Sequence, residues 1–244
     1  MTSRAWAGGQ SPSGVRMKRD AAFRPFLAAY PPTPGLTRPV DGVSLAETIE
    51  ERFGVAVPAA LQLFWLRVGA GVFGDGEIYI FGDAECGLPG PEVIAWNSAP
   101  CWKSVYASPK NGGPFFFGQT AFGDQLGFRW HGKVALPELF MPDTMEVFLL
   151  GSDVDELLGE LLVARGALCD AERLSRATQQ CGPIPPGMHF VPEVSPLRGG
   201  TDDGFRVVAA EAHVKKAITE WEMIQARNRS AGDIGVRVGA AKRS

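Results

Sequence analysis

With 244 residues, 45% of them hydrophobic, the chain is long enough to bury a sizeable core, and one domain with flexible ends is expected. No apolar run approaches the ~18–20 residues of a membrane-spanning helix, and Cys86, Cys101, Cys169 and Cys181 form no C-x-x-C pair and have no histidine at metal-ligand spacing. A membrane span, a disulfide framework and a zinc-finger site are therefore not expected; a cytoplasmic protein with reduced thiols is. The net charge of −3 hides an asymmetry. Arg4, Arg16, Lys18 and Arg19 give the first 19 residues +4, and residues 227–244 also sum to +4, which leaves −11 for residues 20–226. An acidic body with basic ends lacks the cationic face that nucleic acid demands and suits a cationic protein surface instead.

In chain order, the basic start is followed by no apolar stretch, so it does not read as a secretory signal. Its glycines, and the prolines from Pro31 to Pro34, mark residues 1–40 as a flexible segment. Ser44 with Glu47 reads as a capping box opening a helix whose stripe is Leu45, Ile49 and Phe53 and whose stop is Gly54. Pro58 opens a second helix; Leu61, Phe64, Trp65 and Val68, with Leu63 and Leu66 beside them, make it apolar nearly all round and centrally buried. Glu77 to Phe81 reads as a strand, and residues 83–113 as an irregular connection holding one helical turn near Glu92–Trp96.

Further on, Phe115 to Phe122 is a strand candidate, Gly123-Asp124 a two-residue hairpin turn, and Leu126, Phe128 and Trp130 alternate toward a buried face. His131-Gly132 turns the chain into Lys133–Leu136, and Thr144–Leu150 is another strand. Successive hairpins predict an antiparallel meander. Ser152 or Asp153 caps a helix with Val154, Leu157, Leu158, Leu161 and Leu162 as its stripe. An irregular stretch through Pro183 and Gly187 leads to a last helix near Val207–Arg227. The predicted fold is α+β: a meander sheet flanked by N- and C-terminal helices, spanning residues 41–226, with 227–244 a flexible basic tail.

Chemical motifs are sparse. Gly69-Ala-Gly71-Val-Phe-Gly74 matches G-x-G-x-x-G, but a helix precedes it and a strand follows, the reverse of a dinucleotide site, so the glycines read as a helix stop and tight turn. His131, His189 and His213 are far apart in sequence and are not expected to gather, with His131 and His213 at ordinary solvated or hydrogen-bonded positions. The acidic groups Glu47/Glu50/Glu51 and Asp153/Asp155/Glu156 fall at helix starts or on polar faces. No catalytic residue, metal or cofactor is therefore expected.

The run Glu50-Glu-Arg-Phe-Gly-Val-Ala-Val-Pro58, followed by Leu61–Leu66 and Gly69-Ala-Gly71, resembles the opening of the SUKH superfamily of Smi/Knr-like proteins. Gly74–Phe81 resembles its next strand, Phe117–Trp130 its glycine–aspartate hairpin, and Asp153–Leu162 its closing helix. The resemblance covers residues 44–162. It implies a non-enzymatic α+β protein-binding domain, and for bacterial members an immunity protein that neutralises a toxin, often a nuclease, from neighbouring cells. Two alternatives stand beside it: a regulatory scaffold module without a toxin partner, and a small-molecule-binding or enzymatic domain using the glycine turn and the 83–113 connection. For the toxin reading, Asp83, Glu85, Glu92 and Asp124 are the expected acidic contacts and Trp96 and Trp102 the aromatic anchors.

Overall fold

The computed structural model describes residues 23–241 apart from 101, 103–104, 107–108, 155–157 and 159–167, with side chains up to residue 229. Seven strands form one sheet whose spatial order follows the sequence: β1 (Pro32–Arg38), β2 (Ala70–Phe73), β3 (Ile78–Ile80), β4 (Phe115–Thr120), β5 (Gln125–His131), β6 (Val134–Met141) and β7 (Glu146–Leu149). Every neighbouring pair is antiparallel. Helices α1 (Arg24–Ala29), α2 (Gly42–Phe53) and α3 (Ala59–Arg67) come before β2, and α4 (Val93–Ser98) lies between β3 and β4. After the sheet come α5 (Ala171–Cys181), a two-stranded sheet of β8 (Met188–Pro192) and β9 (Phe205–Ala209), and α6 (Ala210–Ala241). The α+β class, with a meander sheet and helices at both ends, is what the sequence predicts.

The N-terminal boundary is different. Residues 23–38 are part of the fold, because Phe26 and Tyr30 are fully buried and Phe26 packs edge-on to Phe64 and Phe73 at ring distances of 5.0 and 5.3 Å. The expected turn at residues 69–74 is largely strand β2, with β1 on one side and β3 on the other. Gly69 still stops α3. Gly71 serves a different end: at φ +120°, a Cβ there would run into the Leu36 carbonyl, so glycine is what admits the β1 backbone.

Helix α2 is capped by Asp41, whose carboxylate accepts from the Val43 and Ser44 amides at 3.2 Å, and not by Ser44. Its stripe of Leu45, Ile49 and Phe53 is buried as predicted, and Gly54 ends it in the left-handed conformation. Helix α3 buries Leu61, Phe64 and Trp65, but Leu66 faces solvent, so the helix is buried on one side only. The Trp65 indole donates to the Phe81 carbonyl at 3.0 Å, tying α3 to the end of β3.

The hairpins form with altered turns. β4 and β5 are joined by four residues, Ala121–Asp124, closed by Gly123 N–H donating to Thr120 O at 3.0 Å and Thr120 N–H to Asp124 O at 2.8 Å. Gly132-Lys133 is the two-residue turn into β6, one residue later than expected, since His131 pairs with Val134. Leu126 and Phe128 are buried, whereas Trp130 is 37% exposed and donates its indole N–H to the Ala56 carbonyl at 2.8 Å. Most of the helix expected after Asp153 lies outside the described residues, although Val154 and Leu158 are helical and buried.

The C-terminal third holds more regular structure than its sequence suggests. Val207 lies in β9 and not in a helix, and α6 runs on to Ala241 through the stretch expected to be a flexible tail. Val214 and Ile218 of α6 join the main core, while Phe122, Phe190 and Phe205 build a smaller cluster around the β8–β9 sheet. The Arg173 guanidinium of α5 lies 4.0 Å from the Phe122 ring centroid and pairs with Asp202 at 2.9 Å.

Candidate functional site

The 83–113 connection folds back on itself at a parallel bridge between Gly82 and Glu92, where Val93 N–H donates to Gly82 O at 2.8 Å. Asp83 caps the 3-10 turn Ala84–Cys86 by accepting from the Cys86 amide at 2.9 Å. The bridge and cap bring Asp83, Glu85 and Glu92 onto one shoulder of the molecule. Glu85 and Glu92 are exposed and Asp83 is half-buried. At Glu92 runs a groove of about 420 Å³, with Glu92, Ala95 and Trp96 on one side and Gly187, Ala210 and Glu211 on the other; among the described residues no basic side chain lines it. Burial pushes the nearby Tyr79 hydroxyl up to about 12 and the Cys86 thiol to about 11, so neither offers an anionic nucleophile at neutral pH.

Three of the six expected contact residues do not lie at the surface. Trp96 and Trp102 are 4% and 6% exposed and pack against each other at 5.6 Å. The Trp96 indole donates to Gln125 Oε1 at 2.8 Å and that of Trp102 to the Trp96 carbonyl at 3.0 Å. With their polar atoms satisfied inside, both rings gain more as core than as anchors. Asp124 is buried in the β4–β5 loop, where its carboxylate accepts from Thr120 Oγ1 at 3.0 Å. Burial raises its pKa to about 6, opposed by the Thr120 hydrogen bond and the Arg173 charge.

Two of the three histidines gather, contrary to expectation. His189 of β8 and His213 of α6 are both buried, with their Nδ1 atoms 3.0 Å apart, and His213 Nε2 lies 2.9 Å from Asp143 Oδ1 in the β6–β7 turn. With His213 neutral and donating from Nε2 to the carboxylate, its Nδ1 is a lone pair, and His189 must donate from its own Nδ1. His189 Nε2 then carries the remaining lone pair, which has no hydrogen-bond partner among the described residues. Burial, with the His213 charge second, holds the His189 pKa well below the ordinary imidazole value. A sequence signal existed: His213 sits three residues after Ala210 and four before Ala217, on the apolar stripe of α6. His131, by contrast, is exposed at the end of β5.

Among the described residues, no three His, Cys, Asp or Glu side chains are grouped to hold a metal ion, and no helix is long and apolar enough to cross a membrane. The free edge of the sheet is the other notable surface: Val147, Phe148 and Leu149 of β7 are 44%, 47% and 66% exposed.

The fold and this shoulder define a mixed α+β protein built on a seven-stranded antiparallel meander. No protein-family model matches the sequence, and no curated protein matches it. Among solved structures, Atu4351 from Agrobacterium tumefaciens is similar, with a TM-score of 0.54 and 17% identity over 80% of this chain and 88% of that one. At that identity the likeness is one of fold.

Proposed function

We propose that the protein is a non-enzymatic binding domain that docks a cationic protein surface on the Asp83–Glu85–Glu92 shoulder. In the specific form implied by the SUKH resemblance, it is a cytoplasmic immunity protein neutralising a nuclease-type toxin. One observation supports the reading most: Glu92 and Glu211 face each other across a groove that no basic residue lines among the described residues, and the Gly82–Glu92 bridge joins Glu92 to the segment that carries Asp83 and Glu85. A nuclease must present a basic cleft to its substrate, and such a cleft meets this shoulder with complementary charge. Charge of this kind acts mainly on the association rate and weakens with salt.

Affinity capture with mass spectrometry identifies the partner, and titration of the pair tests the surface. Asp83→Lys with Glu85→Lys is expected to slow association at least tenfold at low salt, and the wild-type rate to fall as salt rises. An association rate indifferent to both would remove this surface from the reading. Protection of cells expressing the partner separates an immunity role from a regulatory one. The scaffold reading has one observation in its favour, the exposed apolar edge of β7, which suits strand addition by a partner.

A further inference from the structure

The seam between the main sheet and the C-terminal unit of β8, β9 and α6 holds acid and imidazole groups together, out of water. Asp143 of the β6–β7 turn, His213 of α6 and His189 of β8 form a continuous hydrogen-bonded chain. Gly123 of the β4–β5 loop presses on the pair so closely that a Cβ there would lie 2.6 Å from His189 Nδ1 and 2.7 Å from His213 Nδ1. The next residue is the buried Asp124. The charges nearest to Asp124 are Arg173 of α5, Asp143 and His213, and Cys169 in turn feels Glu77 and Asp124. A second chain runs outward from the same point: Gln125 Nε2 donates to Gly123 O and Gln125 Oε1 accepts from Trp96, which lines the groove.

Burial acts on the two titrating groups in opposite senses, since it disfavours the charged form of each. An imidazole sealed in this seam resists taking a proton and takes one when the seam opens. A carboxyl sealed there holds a proton and releases it when the seam opens. We propose that His189, bonded into the His213–Asp143 chain, and Asp124, held beside that chain by the β4–β5 loop, form a proton-compensated clamp that keeps the C-terminal unit docked on the sheet across a change of pH. Opening then exchanges one proton for another, and docking becomes insensitive to acidification. Because Gly187, Ala210 and Glu211 belong to that unit, the clamp also fixes the far side of the groove, whatever the partner is.

The size of the compensation follows from linkage. Between pH 7.5 and 5.5, proton uptake by an opened His189 with an ordinary pKa of about 6.5 favours opening about tenfold. Asp124, at about 6 when closed against 3.8 when open, favours the closed form about fourfold over the same interval. The net change for the wild type is about two- to threefold.

Hydrogen exchange of the full chain tests this, following the amides of residues 188–192 and 205–209 against those of β5 and β6 and correcting for the intrinsic pH dependence. Asp124→Asn keeps an acceptor for Thr120 but cannot titrate, and is expected to raise opening about tenfold from pH 7.5 to 5.5. His189→Asn places an amide N–H where Nδ1 donates, and is expected to reverse the trend, closing the unit about fourfold on acidification. Equal pH responses in wild type and both variants would overturn the clamp. Should a variant fail to fold, NMR of the wild type decides instead. His189 neutral at pH 5.5 with its proton on Nδ1, together with an Asp124 carboxyl titrating near 6, supports the clamp. A charged His189 at that pH, or an Asp124 titrating near 4, overturns it.

Discussion

Asn97 carries a prediction that follows from the end of β3. The β3–β4 pairs end at Ile80–Gly118, Phe81 N–H donates once more to Phe117 O at 2.9 Å, and at Phe116, next to the register shift of the β4–β5 ladder, no described strand flanks β4 on that side. Asn97 of α4 takes the place of the missing strand. Its Oδ1 accepts from Phe116 N–H at 2.8 Å, and its Nδ2 donates to Phe116 O at 2.7 Å and to Val93 O at 2.8 Å. Asn97→Ala strips two buried backbone groups of their partner, each worth about 1–3 kcal/mol of desolvation, so the expected loss is about 2–6 kcal/mol. For a chain of this size that corresponds to a fall in melting temperature of roughly 4–24 °C. Asn97→Asp, which keeps the acceptor and loses the donor, should fall short of wild type as well. Ser98→Ala, one residue along and half-buried, should stay within about 0.5 kcal/mol. Thermal and urea unfolding at pH 7.5 measure all three. An Asn97→Ala loss under about 1 kcal/mol would mean that water reaches Phe116, and the account of Asn97 as a surrogate strand would be wrong.

Trp65→Ala should cost about 3–5 kcal/mol in the same unfolding assay, since the ring is fully buried and its indole holds the Phe81 carbonyl. Gly71→Ala should dislodge β1, read as faster chymotryptic cleavage after Leu36 while the tryptophan fluorescence of the body is retained. Asp124→Asn should stabilise the protein by about 3 kcal/mol at pH 7.5. A carboxyl raised to about 6 in the fold favours it fully below pH 3.8, and that contribution is lost as pH rises through 6, so the gain should vanish near pH 4.

The meander was legible because hairpins depend on near neighbours: alternation in Leu126–Phe128 and glycine turns are local signals. What escaped was non-local. Gly71 looks like a turn residue until the Leu36 carbonyl arrives from 35 residues upstream to use the missing side chain. Trp96 and Trp102 sit in an irregular stretch and so read as surface, yet the acceptors for their indoles come from Gln125 and from the Trp96 backbone. Asp124 is polar and next to a turn glycine, which by itself says exposed; a later segment of the chain supplies its neighbour Arg173. Asp83, Glu85 and Glu92 are acids in a polar connection, which predicts exposure; Glu85 and Glu92 are exposed and Asp83 is half-buried. Their convergence depends on the Gly82–Glu92 bridge, which no local pattern announces.

The placement of α6 has a consequence for the order of events during synthesis. The β2–β3 contacts and those from β4 through β7 are short in sequence, so these hairpins can form soon after they leave the ribosome. Val214 and Ile218, however, complete the main core from the far end of the chain. Until they emerge, the nascent protein carries a partly formed sheet with its apolar interior open on one side, and such a species attracts chaperones or aggregates. A transcript cut short before residue 214 should therefore yield insoluble protein in place of a shorter working domain.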